Sequence, residues 1–241
     1  MEDTTTTPAI TDRFLVTDRV AIVTGAGRGI GRATALALAG AGADLVIASR
    51  TQADLDEVAD EVAALGRRAV TVPADLDDLT ALPGLVDTAV KAFDRVDIVV
   101  NNVGGSFPVP LLQTSAEMFE HAIHFNVTTA LELSKAAIPV MLRGDGGSIV
   151  NIGSAIGRLT DRGYAAYGTA KAALAHLTRL MATEVAPRIR VNGIAAGATA
   201  TSALELVTAD EGLRTTMEQG TPLRRLGHPD DIALGVLYLC S

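Results

Sequence analysis

Along most of the chain, short apolar runs of strand length alternate with longer segments whose apolar residues recur at helical spacing. A parallel sheet covered by helices on both faces requires this alternation. The predicted strands cover residues 20–24, 45–48, 69–72, 98–100, 148–152 and 190–193. The predicted helices cover residues 29–41, 52–65, 79–93, 117–142, 165–185 and 230–239. We therefore expect an α/β fold, a single doubly wound domain of the Rossmann type with a six-stranded parallel sheet.

Composition limits the class of protein. With 241 residues, of which 48% are hydrophobic, the chain can bury one large core. Its uncharged apolar stretches are strand-sized, so we expect no membrane segment. The net charge of −8 disfavours nucleic acid and anionic membranes as partners. Cys240 is the only cysteine, which excludes an internal disulfide and fits a reducing cytoplasm.

Residues 1–17 contain no apolar segment typical of a signal peptide, and they include acidic residues. We predict a mobile tail over residues 1–17 and a single folded domain over residues 18–241.

A glycine-rich turn joins the first predicted strand to the first predicted helix. Residues 24–31 read Thr-Gly-Ala-Gly-Arg-Gly-Ile-Gly. Glycines let the backbone approach a pyrophosphate, and the helix start attracts its negative charge. The spacing alone also fits a simple packing turn, but the order of strand, turn and helix favours dinucleotide binding. We predict that Gly25, Arg28, Gly29, Ile30 and Gly31 bind the cofactor.

The end of the second predicted strand bears on which dinucleotide is bound. An NAD-specific site would carry an acidic residue here, but the sequence has Ser49 and Arg50. Arg50 and Arg28 can donate charge-assisted hydrogen bonds to a 2′-phosphate, whereas the alternative is that both are solvated. The sequence thus favours NADP(H) over NAD(H). Asp75 and Leu76, after the third strand, are candidates for contact with the adenine, although Asp75 also fits a helix N-cap.

Ser154, Tyr167 and Lys171 form a Ser-x12-Tyr-x3-Lys pattern in a chain with only three tyrosines. Tyr167 and Lys171 lie one turn apart on a predicted helix and so share a face. A phenol beside an ammonium can transfer protons, and the positive charge should lower the phenol pKa from its usual value near ~10. The alternatives are an ordinary surface pair and a capping serine.

These motifs, with the run Asn101-Asn102-Val103-Gly104 and with Asn126, resemble the short-chain dehydrogenase/reductase family over residues 18–241. The resemblance implies that Tyr167 is the general acid/base and that Lys171 also binds the nicotinamide ribose. Ser154 would then polarise the substrate oxygen. The backbone of Asn126 would bend its helix and hold a water that relays protons to Lys171.

The resemblance also assigns cofactor contacts to Asn102, Gly104, Gly197, Thr199 and Thr201. Ala196 stands where the family usually has proline, so we expect a looser loop after the sixth strand. The final strand of family members is absent from the sequence, which ends at Ser241. We therefore expect an open sheet edge and weaker assembly, or a truncated chain, within a homo-oligomer that is a dimer or tetramer.

The substrate is predicted to contact Ser154, Ser106, Phe107 and Tyr164. Further lining is expected from Pro108, Ile156, Leu159 and residues 204–220. Because these loops are mainly apolar, we expect a small-molecule carbonyl or secondary alcohol of 3-oxoacyl, alicyclic or steroid-like type. The predicted function is hydride transfer between NADP(H) and this substrate. The alternatives are a non-catalytic dinucleotide-sensing protein and a lyase or epimerase. We expect no metal, since His121 and His124 lack a third ligand nearby.

Overall fold

The computed structural model describes residues 9–201, 204 and 209–241. It contains a parallel sheet of six strands in the order β3-β2-β1-β4-β5-β6. The strands are β1 (Val20–Thr24), β2 (Asp44–Ser49), β3 (Ala69–Pro73), β4 (Ile98–Asn101), β5 (Gly147–Ser154) and β6 (Ile189–Ala196). This order is that of a doubly wound sheet, whose ligand crevice lies at the carboxyl ends of β1 and β4, where the winding reverses. The predicted fold class and strand number are confirmed.

The helices follow the predicted pattern except for one interruption and one further helix, at Glu211–Gly220, that was not predicted. They are α1 (Gly29–Gly40), α2 (Gln52–Ala64), α3 (Leu82–Phe93), α4 (Ala116–Ile123), α5 (Thr129–Arg143), α6 (Ala165–Val185), α7 (Glu211–Gly220) and α8 (Pro229–Cys240). The helix predicted over residues 117–142 is broken into α4 and α5 by a π-helical turn at His124–Thr128. None of the helices in the described part of the chain has the length and apolarity that a bilayer crossing requires.

Two apolar cores lie on opposite faces of the sheet, because successive strand residues point to opposite sides. One core packs Leu38, Leu55 and Val236, from α1, α2 and α8, against one set of strand residues. The other packs Leu133 of α5 and Met181 of α6 against the alternate set. Burial on both faces explains why the strands are continuous apolar runs.

Part of the predicted tail is in contact with the folded domain. Ile10–Phe14 forms a 3₁₀ turn, and Val16 is fully buried with its N–H bonded to the Ala41 carbonyl at 2.9 Å. The Val16 side chain packs in one of the apolar cores, while the domain boundary at residue 18 stays a prediction. Residues 1–8 of the predicted tail lie outside the described residues.

Candidate active site

The glycine turn between β1 and α1 presents bare backbone to the crevice. Gly25 and Gly29 have φ values of 63° and 56°, in the left-handed region that favours glycine. A Cβ on Gly31 would lie 2.1 Å from the Gly25 carbonyl oxygen. Arg28 is the N-cap of α1, and Ile30 is the second residue of that helix. This turn fits a pyrophosphate held by backbone N–H groups at a helix start.

Thr24 and Asn102 tie this turn to the end of β4. The Asn102 side-chain amide donates to the Thr24 carbonyl at 2.9 Å. The Thr24 hydroxyl accepts from the backbone N–H groups of Asn102 and Val103 at 2.9 and 3.1 Å. The two central strands are thereby braced where the crevice opens. Contact of Asn102 with a ribose stays a prediction.

Ser154, Tyr167 and Lys171 come together at the carboxyl end of β5. Ser154 ends β5, while Tyr167 lies in the first turn of α6 and Lys171 one turn further. Lys171 is 4% exposed, and its ammonium donates to the Ile152 carbonyl at 2.9 Å and lies 5.7 Å from the Tyr167 ring centroid. The Ser154 hydroxyl also accepts from the Ile156 N–H at 3.3 Å, so this serine caps a 3₁₀ turn as well.

Burial controls the ionisation of the phenol and the ammonium. Burial raises the pKa of Tyr167, and Tyr164 adds to the rise, while interaction with the Ser154 hydroxyl lowers it. Burial lowers the pKa of Lys171 to about 8. The predicted lowering of the Tyr167 pKa by Lys171 does not appear, because burial of the phenol has the largest effect on its pKa. The neutral phenol is therefore the stable form, which suits proton donation.

Asn126 lies in the π-turn and is 1% exposed. Its amide nitrogen donates to the carbonyls of Ala122 at 2.9 Å and Gly105 at 3.0 Å, and its oxygen accepts from the Gly105 N–H at 2.9 Å. A Cβ on Gly104 would lie 2.6 Å from that oxygen and 2.9 Å from the Lys171 nitrogen. The predicted distortion of the helix is present. The side chain of Asn126 joins the π-turn to the loop after β4. The sequence analysis assigned a role to the backbone of Asn126 and none to its side chain.

Near the carboxyl end of β2 lies an acidic residue, Asp54, that the sequence analysis did not identify. Ser49 and the exposed Arg50 are at the predicted position. A Cβ on Gly27 would lie 2.9 Å from the Ser49 hydroxyl and 3.4 Å from a carboxylate oxygen of Asp54, in the first turn of α2. An acid here opposes a 2′-phosphate and can accept a hydrogen bond from a ribose hydroxyl. Asp54 was not identified from the sequence because it lies five residues after Ser49, and only the first turn of α2 brings it close to that residue.

The loop after β6 reaches the glycine turn. The side chain of Thr201 lies 3.2 Å from where a Gly29 Cβ would be, which places it over the start of α1. Thr199 is 5% exposed, and its hydroxyl donates to the Gly197 carbonyl at 3.1 Å. The backbone on either side of Thr199 pairs with Gly227 through two bonds of 2.8 Å. This pairing supports the loop in which Ala196 replaces proline.

Asp75 and Leu76 follow β3 at the same edge of the sheet. Leu76 is 3% exposed and belongs to a core, so its side chain points away from the crevice. The Asp75 carboxylate accepts from the Asp77 N–H at 3.2 Å, and Asp78 rather than Asp75 caps the following 3₁₀ turn. The alternative of a helix N-cap at Asp75 is thus wrong, while contact with the adenine stays a prediction.

The predicted substrate residues flank Tyr167 on two loops. Tyr164 is the N-cap of α6, and its ring centroid lies 6.1 Å from that of Tyr167. Phe107 is 81% exposed, and the Ser106 hydroxyl donates to the Phe107 carbonyl at 3.4 Å. The Val109 N–H donates to the Gly163 carbonyl at 2.9 Å, which joins the two loops. Of the predicted lining segment 204–220, residues 205–208 lie outside the described part of the chain.

A buried polar chain beneath the site was also missed. The Asn101 amide donates to the Ser134 hydroxyl at 3.1 Å and to the Asn151 oxygen at 2.8 Å. The Asn151 amide donates to the Thr178 hydroxyl at 2.9 Å. This series of hydrogen bonds links α5, β4, β5 and α6. In the sequence, it was indicated only by polar residues inside two apolar strands.

Comparisons with known proteins agree with this geometry. The family model described as enoyl-(acyl carrier protein) reductase matches residues 25–241. An uncharacterized oxidoreductase of Mycobacterium tuberculosis (strain CDC 1551 / Oshkosh) is 57% identical over 233 residues, 96% of this chain and 89% of the relative. A 7α-hydroxysteroid dehydrogenase structure, complexed with NADH and 7-oxo glycochenodeoxycholic acid, has a TM-score of 0.92 and 37% identity, covering 97% of this chain and 91% of that one. A dehydrogenase structure from Beutenbergia cavernae with NADP at low occupancy has a TM-score of 0.88 and 35% identity, covering 95% and 91%.

The sheet order, the glycine turn and these relatives define an NAD(P)-dependent oxidoreductase that acts on CH–OH or C=O groups. More narrowly, the chain belongs to the short-chain dehydrogenase/reductase family.

Proposed function

We propose that the protein transfers a hydride between NADP(H) and an apolar carbonyl or secondary alcohol, with Tyr167 as the general acid/base. The observation that carries this proposal is the meeting of Ser154, Tyr167 and a 4% exposed Lys171 beside the glycine turn. A bound nicotinamide supplies the hydride in reduction and accepts it in oxidation. Gly25, Gly29 and Gly31 would hold its pyrophosphate.

In reduction, Tyr167 donates its phenolic proton to the substrate oxygen on which alkoxide charge develops. In oxidation, the deprotonated Tyr167 accepts the proton of the substrate hydroxyl. Its raised pKa keeps the proton in place until negative charge develops on the substrate. The Ser154 hydroxyl donates a hydrogen bond to the same oxygen and stabilises that charge. Lys171, with a pKa of about 8, can return a proton to Tyr167 at physiological pH. Asn126 holds the loop that carries Gly104 against this lysine.

The preference for NADP(H) rests on charge at the end of β2. Arg28 and Arg50 are both exposed and flank the glycine turn, where they can bind a 2′-phosphate. Asp54, near Gly27, works against the preference, but it is one carboxylate against two guanidinium groups. The net local charge of these three residues is positive, which supports NADP(H).

An apolar substrate is supported by the loops beside Tyr167. Phe107 and Leu159 are 81% and 66% exposed, and Leu111 and Leu112 are exposed as well. Bound substrate would cover such groups favourably. The structural relative that holds 7-oxo glycochenodeoxycholic acid supports a steroid-like ketone as the first compound to test. A 3-oxoacyl or alicyclic carbonyl fits the same surface.

Assembly into a dimer or tetramer is supported by apolar side chains that α4, α5 and α6 expose. Met118, Leu142 and Leu180 are 48%, 38% and 53% exposed. A partner copy would remove this surface from water.

A substrate panel tests the proposal. Steroid ketones, 3-oxoacyl thioesters, alicyclic ketones and sugars are each mixed with NADPH or NADH, and nicotinamide absorbance is followed. We expect faster oxidation of NADPH with at least one apolar carbonyl than with any sugar. Cofactor binding without turnover of any compound would instead favour the dinucleotide-sensing alternative. An equal or faster rate with NADH would overturn the cofactor preference.

A further inference from the structure

His124 is a histidine at the first position of the π-turn, and the proposed reaction assigns it no role. Its Nε2 lies 2.7 Å from the Asp77 carbonyl oxygen. A carbonyl oxygen only accepts hydrogen bonds, so Nε2 carries the proton and donates. The same nitrogen lies 3.5 Å from an Asp77 carboxylate oxygen that is buried and has no hydrogen-bond partner in the described part of the chain. The ring is thus held against the loop after β3 by one hydrogen bond of 2.7 Å and one longer contact of 3.5 Å with the carboxylate.

Asp77 connects this contact to the proposed adenine end of the site. Its backbone N–H donates to the Asp75 carboxylate at 3.2 Å, while its carbonyl accepts from His124. One residue, Asp77, therefore lies between Asp75, the proposed adenine-binding residue, and the π-turn.

Two residues further along the π-turn, Asn126 makes the second connection. Its side chain bonds both the N–H and the carbonyl of Gly105, at 2.9 and 3.0 Å. A Cβ on the neighbouring Gly104 would lie 2.9 Å from the Lys171 nitrogen. The π-turn therefore touches the adenine side of the site at one end and the catalytic lysine side in its middle.

We propose that His124 is a positioning residue that couples the adenine end of the cofactor site to the catalytic end, through the π-turn. The inference rests on the proposed cofactor site. Binding at Asp75 orders the loop after β3, His124 transmits that order to the π-turn, and Asn126 passes it to Gly105. Coupling of this kind needs a defined contact at each step, and the contacts of Asp77 with Asp75, of His124 with Asp77 and of Asn126 with Gly105 are hydrogen bonds of 2.7–3.2 Å.

The chain offers a matched control in His121. It lies one turn before His124, its ring stacks on that of His124 at 6.3 Å between centroids, and it is 60% exposed. His121 approaches an Asp77 carboxylate oxygen only at 3.8 Å, which is too long for a hydrogen bond. His121→Leu thus removes a neighbouring imidazole without cutting the link.

The test uses the whole chain and two adenosine fragments, adenosine 2′,5′-bisphosphate and adenosine 5′-monophosphate, which fill only the adenine end. Hydrogen exchange of the Gly105 amide is followed by NMR with and without each fragment, and NADPH and NADH affinities are measured by nicotinamide fluorescence. In the wild type we expect a fragment to slow exchange at Gly105. His124→Leu should abolish that protection and weaken cofactor binding about fivefold, the effect of one hydrogen bond.

His124→Gln, whose amide can donate to the same carbonyl, should restore protection, and His121→Leu should keep it. Thermal melts verify that each variant is folded. Protection in His124→Leu equal to wild type would overturn the proposal, as would failure of the glutamine to restore it. A wild type that binds cofactor but shows no protection would also overturn it. A wild type that binds neither dinucleotide would overturn the proposed function itself.

Discussion

Gly31→Ala should damage both stability and cofactor binding, although alanine is the better helix former. The new Cβ would lie 2.1 Å from the Gly25 carbonyl oxygen and 2.7 Å from the Asn102 amide nitrogen. Backbone cannot yield as a flexible side chain does, so the turn or the start of α1 must move. Overpacking of this kind costs about 1–3 kcal/mol, against a gain of roughly 1 kcal/mol in helix propensity. At ~2–4 °C per kcal/mol for a chain of this size, we expect Tm to fall by several degrees at most.

Gly40→Ala is the matched control, since Gly40 ends the same helix and a Cβ there would meet nothing within 4 Å. It should leave Tm unchanged or raise it slightly. The assay pairs thermal unfolding with NADPH titration by fluorescence. Gly31→Ala should lose at least tenfold in affinity, because the shifted turn no longer presents its N–H groups together, while Gly40→Ala should bind normally. Wild-type affinity in Gly31→Ala would refute the assignment of this turn to the pyrophosphate.

Two further predictions concern charge. Arg50→Asp should shift the ratio of kcat/KM for NADPH over NADH by about 10- to 100-fold toward NADH, the effect of losing one charge-assisted hydrogen bond to phosphate; Asp54→Asn should shift it the other way, and unchanged ratios would remove both residues from the specificity site. Lys171→Met should be more stable than the wild type, and this difference in stability should be larger below about pH 8 than at higher pH. The buried lysine has a pKa of about 8 against 10.5 unfolded, so its charge destabilises the fold below about 8 and this penalty is relieved as pH rises toward 10.5. The difference in unfolding free energy between Lys171→Met and the wild type should decrease by roughly 3 kcal/mol between pH 8 and pH 10.5. A difference that stays constant with pH in denaturant melts would contradict the lowered pKa of Lys171.

Most of the fold could be predicted from sequence because the strands β1, β2 and β4 are buried on both faces. Such strands are uniform apolar runs with glycine or proline beside them, and β1 was predicted to the residue. The break in the long helix at His124 was harder to place, because residues 117–142 keep helical periodicity through the π-turn. Only the resemblance of Asn126 to a family position indicated a bend there.

The site divides along similar lines. Ser154, Tyr167 and Lys171 could be predicted because their spacing along one strand and one helix fixes their geometry. Asp54 and the link from His124 to Asp77 could not, because they depend on how separate loops approach each other. The pKa of Tyr167 is raised rather than lowered as predicted, because residue spacing shows a neighbouring charge but not how much solvent the phenol loses on burial.

The oxidoreductase proposal depends most directly on Tyr167. Tyr167→Phe keeps the ring and its packing but removes the proton that the reaction needs. Single-turnover rates are measured with the best substrate of the panel, together with NADPH affinity by fluorescence. We expect the rate to fall by about 10²- to 10⁴-fold, with affinity for NADPH nearly unchanged. Wild-type turnover in Tyr167→Phe would contradict the assignment of this phenol as the general acid/base.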